Sequence, residues 1–156
     1  VFNYSNRIKA IATITEFPFK LERFCSELKP EDFQRTYRPG GWTILETIHH
    51  CADSHLNAIT RFKLALTEKN PTIKPYNQAE WVRTGDNKMN WQDHVLLLQS
   101  IHKKWVSVLN SMSDQDFEKS FYHPEMQKSV PLSTNLFLYA WHCEHHLAHL
   151  EQAMKH

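Results

Sequence analysis

The sequence predicts an all-α protein, a four-helix bundle whose helices run in up-down-down-up order. Only 3 of the 156 residues are glycine, and a chain with few glycines forms few of the tight turns that join short strands. Four segments of roughly 20 residues carry apolar side chains at helical spacing. The links between them are short at two joints, but the middle one has about 20 residues, long enough for the second and third helices to run parallel. We therefore expect one domain over residues 1–156.

The first predicted helix runs from about Asn6 to Glu27, where apolar side chains recur every three or four positions. Pro18 falls inside this helix and should kink or split it, because proline lacks the N–H that a helix interior needs. A short separate helical piece is expected at Pro30 to Asp32, since proline and acidic residues are favoured in a first turn.

The second predicted helix has a clear beginning and a clear end. Thr43 is a suitable N-cap, and Glu46 three residues later completes the pattern of a capping box. The helical periodicity continues to about Thr67, and Pro71 ends it.

The rest of the chain predicts a crossover followed by two more helices. Residues 70–90 contain two prolines and a glycine without clear periodicity, which indicates the long connection. The third helix is predicted over Asn90 to Met112, and residues 121–131 are predicted to be a loop. The last helix should begin at Ser133 or Thr134 and run close to the C-terminus.

Composition argues against several classes of function. Lys plus Arg total 18 and Asp plus Glu total 17, so the charge gives no reason to expect nucleic-acid binding. No apolar run is long enough to span a membrane, and no leader pattern is visible. The odd set of Cys25, Cys51 and Cys143 lies in apolar helical patterns, which favours reduced thiols packed in a core. We expect a cytoplasmic protein with no nucleic-acid or membrane partner.

Histidine is the compositional outlier, with 11 residues. The last helix carries two pairs four residues apart, His142 with His146 and His145 with His149. Residues four apart share a helix face, so both imidazoles of a pair can reach one ion. The apolar stripe places His142 and His146 facing inward or flanking the core and turns His145 toward solvent. The pair His142 and His146 therefore predicts a divalent transition-metal site that needs a third ligand from another helix.

The second helix offers His49, His50 and His55 as candidates for that third ligand. Periodicity places His55 on the apolar face, so periodicity alone favours it. His50 falls on a polar stripe that also includes Asp53 and turns away from the apolar face. Such a stripe is either a solvated surface or the wall of a cavity between helices, where bundles build their sites. The residues alone leave both interpretations open.

Several motifs occur in order along the whole chain, and together they give a family resemblance. They are Tyr37-Arg38-Pro39-Gly40-Gly41-Trp42-Thr43, His49–His55, Arg61–Leu64, Ile73–Tyr76, Phe121–Pro124 and Tyr139–His149. With these motifs the chain resembles the DinB-like superfamily, specifically its YfiT branch. The resemblance implies an up-down-down-up bundle and a metal held by His142, His146 and His50, which lies eight residues after Trp42. His55 remains the alternative to His50.

The resemblance also implies an activity on a small-molecule substrate. Proteins like this are labelled metal-dependent hydrolases, and relatives of this branch look like S-transferases that use bacillithiol, a low-molecular-weight thiol. Three imidazoles leave coordination positions open, as in catalytic sites, and they suit zinc or nickel. A metal could lower the pKa of a thiol or activate water, and we expect the thiol chemistry. A non-catalytic metal-binding bundle is the alternative from another class, and relatives suggest a homodimer.

Four charged residues are candidates for supporting roles. Asp53 and Glu144 could accept a hydrogen bond from a metal-binding imidazole. Arg38 and Arg61 could bind the carboxylates of an acidic thiol. For each of the four, an ordinary surface position is the competing interpretation.

Overall fold

The computed structural model describes residues 3–155 and has the predicted all-α architecture. Its long helices are α1 (Tyr4–Ser26), α2 (Ile44–Thr67), α4 (Trp91–Ser111) and α6 (Leu132–Ala153). Shorter elements join them: α3 (Gln78–Trp81), α5 (Asp114–Glu118), and 3-10 turns at Pro30–Gln34 and Gly85–Lys88. An antiparallel hairpin is formed by β1 (Ser120–His123) and β2 (Lys128–Pro131). Within residues 3–155, no helix has the length and apolar character needed to cross a membrane.

Contacts between the long helices give their directions. Helices α2 and α4 run parallel, because His49 contacts His94 and, further along both helices, Phe62 contacts Trp105. Helices α1 and α4 run antiparallel, because Ile14 contacts His102 and Glu22 contacts Gln99. Helices α2 and α6 also run antiparallel, because His50 contacts His146 and Ser54 contacts Tyr139. The order is therefore up-down-down-up, and the connection of residues 68–90 allows α2 and α4 to run parallel, as predicted.

Helix α1 continues through Pro18, so the predicted split does not occur. A proline removes one helical hydrogen bond, the one that its N–H would donate to the carbonyl four residues earlier. That carbonyl belongs to Ile14, and it accepts a hydrogen bond from Nδ1 of His102 at 2.6 Å instead. A side chain from α4 therefore supplies the donor that Pro18 lacks, at a point where the helix is continuous.

Helix α2 begins with the predicted capping box. The Thr43 hydroxyl accepts from the backbone N–H of Glu46 at 3.1 Å, and the Glu46 carboxylate accepts from the N–H of Thr43 at 2.8 Å. The preceding turn requires glycine, because Gly40 has φ +69° and a Cβ on Gly41 would lie 3.0 Å from Cε1 of Tyr37. The glycine pair thus fixes the point at which α2 enters the bundle.

The prediction of a loop over residues 121–131 is wrong, because most of this segment forms the hairpin. Phe121 pairs with Val130, and both side chains are buried. The hairpin is also bonded to the crossover, where the N–H of Ile73 donates to the carbonyl of Tyr122 at 3.0 Å. Its strands have only four residues each, too few for a reliable periodic signal, and part of their support comes from a segment about fifty residues away in sequence.

The middle of α2 is buried on almost every side. His55 is fully buried, as its periodicity predicts, but His50 is only 2% exposed and does not turn away from the core. The reason is that α6 and Trp42 cover the side of α2 that carries His50, with the Trp42 ring 4.7 Å from that of His50. Periodicity within one helix detects an apolar face, but it does not show that a second, polar face is also covered.

Candidate metal centre

Three histidines from two helices converge on one point. The Nε2 atom of His142 lies 3.2 Å from Nε2 of His50 and 3.1 Å from Nε2 of His146. Nitrogens bound to one ion at about 2.0–2.1 Å are roughly 3.0–3.4 Å apart. The spacing of this three-histidine cluster therefore suits one transition-metal ion. The fold brings together the three residues that the resemblance implied.

Burial keeps these imidazoles neutral. It lowers the pKa of His50 to about 4 and the pKa of His142 to about 3, and the neighbouring histidines add to the effect. Burial, with the same neighbours, also holds the pKa of His146 far below its ordinary value. At neutral pH all three rings therefore have an unprotonated nitrogen available for a metal, without first losing a proton.

A line of hydrogen bonds extends behind His142 into the core. Nδ1 of His142 lies 3.0 Å from Nε2 of His55, and Nδ1 of His55 lies 2.6 Å from Nε2 of His102. His102 in turn bonds to the carbonyl of Ile14. His55, the alternative third ligand, thus contacts the nitrogen of His142 that faces away from the cluster. Nothing in the residue pattern pointed to a role for His102.

The three-histidine cluster lies on one side of a cavity of about 670 Å³. Residues of α2, α6 and the hairpin form most of its lining. The Lys and Arg residues in the lining are Arg61 and Lys128, and no carboxylate from residues 3–155 lines it. The cavity is therefore large enough for a small-molecule ligand and favours a negatively charged one.

The second histidine pair of α6 forms part of the cavity wall. The ring of His145 stacks on Trp141 at 4.4 Å, and the ring of His149 stacks on Tyr37 at 4.0 Å. His145 is half-buried rather than turned to solvent as predicted. The hairpin and the turn before α2 enclose the side of α6 that carries His145 and His149. The apolar stripe of α6 does not predict this enclosure, because the covering segments come from other parts of the chain.

The structure places the two candidate arginines differently. Arg61 lines the cavity, with its guanidinium 6.0 Å from the centroid of the Phe121 ring. Arg38 is exposed, and its Nε donates a hydrogen bond to the hydroxyl of Tyr37 at 3.2 Å. Arg61 can therefore contact a ligand in the cavity directly, whereas Arg38 does not line the cavity but contacts Tyr37, which does.

Neither candidate carboxylate, that of Asp53 or that of Glu144, contacts the three-histidine cluster. The carboxylate of Asp53 lies 3.0 Å from Nε2 of His49, which faces α4. Glu144 is exposed and lines a separate groove beside α1. Two positions along a helix rotate a side chain by about 200°, so Glu144 points away from the face of His142 and His146. Nδ1 of His142 is instead hydrogen-bonded to the imidazole of His55.

These features can be compared with those of known proteins. The family model of the DinB superfamily matches residues 15–150. The chain belongs to the DinB superfamily. A relative from Bacillus cereus (strain G9842), named "Putative metal-dependent hydrolase", is 43% identical over 145 residues, which cover 93% of this chain and 83% of the relative. A relative of the same name from Bacillus mycoides (strain KBAB4) is 44% identical over 142 residues, 91% of this chain and 82% of the relative.

Solved structures of this superfamily fold agree with the architecture. YfiT from Bacillus subtilis, described as a probable metal-dependent hydrolase with an unusual four-helix bundle topology, matches with a TM-score of 0.95 and 36% identity, covering 99% of this chain and 89% of YfiT. A mycothiol-dependent maleylpyruvate isomerase matches with a TM-score of 0.74 and 16% identity, covering 96% of this chain and 63% of the isomerase. The second likeness shows a shared fold alone.

Proposed function

We propose that this DinB-superfamily protein is a metal-dependent enzyme that activates a low-molecular-weight thiol for transfer to an electrophile. The proposed metal is one divalent ion, Zn²⁺ or Ni²⁺, held by His50, His142 and His146. The observation that carries the proposal is the convergence of three neutral imidazoles, spaced at 3.2 and 3.1 Å, beside an open cavity. Three protein ligands leave a coordination position for a substrate, as catalytic sites do.

The residues present fit such a metal. An all-nitrogen set of neutral imidazoles suits zinc and nickel and is a poor set for magnesium or calcium, which prefer oxygen. When bound, the ion would lower the pKa of a coordinated thiol and so supply a thiolate at neutral pH.

The cavity supports a thiol substrate that carries carboxylates, as bacillithiol does. Arg61 and Lys128 give the lining a positive charge, and the described lining holds no Asp or Glu to oppose them. The guanidinium of Arg61 can donate two parallel hydrogen bonds to one carboxylate. The mycothiol-dependent isomerase on the same fold is, by its name, dependent on a thiol. We further propose that the protein acts in the cytoplasm as a homodimer.

Hydrolysis is the second candidate function, and the names of the relatives favour it. A metal with an open position also activates water for attack on an ester or amide. A bundle that binds metal without turnover is the third candidate.

Parallel assays of one preparation test these alternatives. Zinc- or nickel-loaded protein is incubated with bacillithiol and a haloarene or an epoxide, and the conjugate is measured against metal-free protein. We expect conjugate well above the metal-free control, and a loss of this difference in His146→Ala. The absence of conjugate together with cleavage of an ester or amide panel would establish hydrolysis instead, and inactivity in both assays with full metal occupancy would establish a non-catalytic site.

A further inference from the structure

The carbonyl of Ile14 is the starting point of an ordered chain of hydrogen bonds. Ile14 is fully buried, and Pro18 offers its carbonyl no N–H. A buried carbonyl that finds no donor destabilises the folded protein. Nδ1 of His102, 2.6 Å away, supplies that donor. The helix defect created by Pro18 thus selects a donor from α4.

A neutral imidazole has one N–H and one acceptor nitrogen, so the donor nitrogen of His102 determines the donor nitrogens of the next two rings. A carbonyl only accepts, so Nδ1 of His102 must hold the hydrogen and its Nε2 must be the acceptor. Nε2 of His102 lies 2.6 Å from Nδ1 of His55, which must therefore donate. By the same reasoning Nε2 of His55 accepts from Nδ1 of His142 at 3.0 Å. The remaining nitrogen of His142, Nε2, is left with its lone pair directed at His50 and His146.

We propose that His55 and His102 are positioning residues. Because the Ile14 carbonyl must accept a hydrogen bond from His102, the hydrogen bonds through these two rings make Nδ1 of His142 a donor. Nε2 of His142 is thereby held as the metal-binding nitrogen. We call this set of Ile14, His102, His55 and His142 the histidine chain. The inference deepens the proposed function and rests on the metal site proposed there.

Packing keeps the rings of the histidine chain from turning to other partners. The Phe17 ring stacks on His102 with the ring centroids 5.6 Å apart and lies 5.2 Å from the His55 ring, and the Tyr139 ring, nearly perpendicular to that of His55, has its centroid 5.5 Å away. His55 and His102 are 0% and 2% exposed, so water does not compete for their nitrogens. An aromatic enclosure of this kind leaves the chain with one hydrogen-bond arrangement.

His146, another histidine of the cluster, is supported differently. Nδ1 of His146 is buried and has no hydrogen-bond partner among residues 3–155. His146 therefore receives no tautomer preference from the protein through that atom. The histidine chain makes His142 the preorganised member of the cluster, around which the other two imidazoles can adjust.

The first test needs no metal. Long-range proton–nitrogen NMR of the metal-free protein reports which ring nitrogen carries hydrogen in each histidine. We expect the Nδ1–H tautomer for His102, His55 and His142. An Nε2–H tautomer of His142, or rapid averaging between its two tautomers, would overturn the proposal whether or not the site binds metal.

The second test measures zinc affinity by competition with a chromophoric chelator. His102→Leu leaves Nδ1 of His55 without its acceptor and should weaken binding about tenfold, the lower end of the 10- to 100-fold losses that follow removal of a hydrogen bond to a metal ligand itself. His102→Gln should recover most of that loss, because an amide can donate to Ile14 and accept from His55 at once. His94→Leu is the matched control, since His94 is a buried histidine of the same helix at 3% exposure. Equal losses in His94→Leu and His102→Leu, or no loss in a folded His102→Leu, would refute the positioning role.

Pro18→Ala separates positioning from stability. Alanine restores a helical N–H that competes with His102 for the Ile14 carbonyl and weakens the His102 hydrogen bond, while the helix itself gains stability. We expect a higher unfolding midpoint together with weaker zinc binding. Unchanged affinity and an unchanged His142 tautomer in Pro18→Ala would contradict the proposal. If wild-type protein binds no zinc, the proposed function fails, while the NMR experiment still decides the tautomer of His142.

Discussion

Two adjacent histidines of α2 enter two different polar clusters. His50 faces α6 and joins His142 and His146, three imidazoles beside an open cavity. His49 faces α4 and the crossover, where its Nε2 lies 3.0 Å from a carboxylate oxygen of Asp53 and 3.9 Å from one of Asp86. We call the second group, with His94 beside it, the His49 cluster.

The difference between the two clusters shows that closeness of potential ligand atoms does not by itself make a metal site. Both bring at least three potential ligands within reach of one ion. The three-histidine cluster also has only neutral nitrogens, a cavity for substrate and the histidine chain behind it. The His49 cluster contains two carboxylates, one on the half-exposed side chain of Asp86, and it is absent from the cavity lining. We interpret it as a contact that attaches the crossover to α2.

The largest expected difference concerns metal binding. His142→Ala should weaken zinc affinity roughly a thousandfold, since each ligand carries a share of a binding free energy of about 10 kcal/mol or more. His49→Ala should leave the stoichiometry at one ion per chain and the affinity nearly unchanged. Elemental analysis after dialysis and a chelator competition measure both quantities. A thousandfold loss in His49→Ala would place the metal in the other cluster.

The next effect is the acid sensitivity of the metal-free protein. Burial lowers the pKa of His102 to about 4 from an ordinary 6.5, so the unfolded chain binds a proton there before the folded one does. This contribution to stability is complete above pH 6.5 and is lost as the pH falls toward 4, at a cost of about 3 kcal/mol for His102 alone. Urea unfolding at several pH values should therefore show a smaller acid loss in His102→Gln than in wild type. Parallel pH profiles for the two proteins would refute this assignment.

A smaller effect concerns substrate charge. Arg61→Gln should raise the KM for an acidic thiol about tenfold, because a charge-assisted hydrogen bond contributes about 1.5–3 kcal/mol, and it should leave kcat nearly unchanged. Lys63→Gln is the control, an exposed cation on the same helix that does not line the cavity. Steady-state kinetics distinguish the two variants, and equal KM values for Arg61→Gln and Lys63→Gln would exclude a direct contact.

The smallest effect is expected in the His49 cluster. Asp53→Asn keeps the size of the side chain and removes its charge, so we expect a loss of about 1 kcal/mol in unfolding free energy. Zinc affinity should remain within twofold of wild type. A calorimetric unfolding scan and the same chelator competition check both expectations, and a large loss of zinc affinity would show that the two clusters are coupled.

The sequence determined the features that depend on nearby residues. The capping box of Thr43 and Glu46 and the paired spacing of His142 and His146 follow from interactions three or four positions apart. The four long helices follow from apolar periodicity, and the parallel course of α2 and α4 follows from the length of one connection. Family motifs, rather than helix phase, singled out His50.

Tertiary structure decided the features that need partners far along the chain. His50 and His142 are 92 positions apart, and His102 lies 88 positions from Ile14. A lone sequence shows that Pro18 removes a donor from the Ile14 carbonyl, but only packing selects His102 as the replacement. The hairpin, the covered polar face of α2 and the positions of Asp53 and Glu144 have the same cause: each depends on which helix face a distant segment covers, and that choice is made by the packing of the whole bundle.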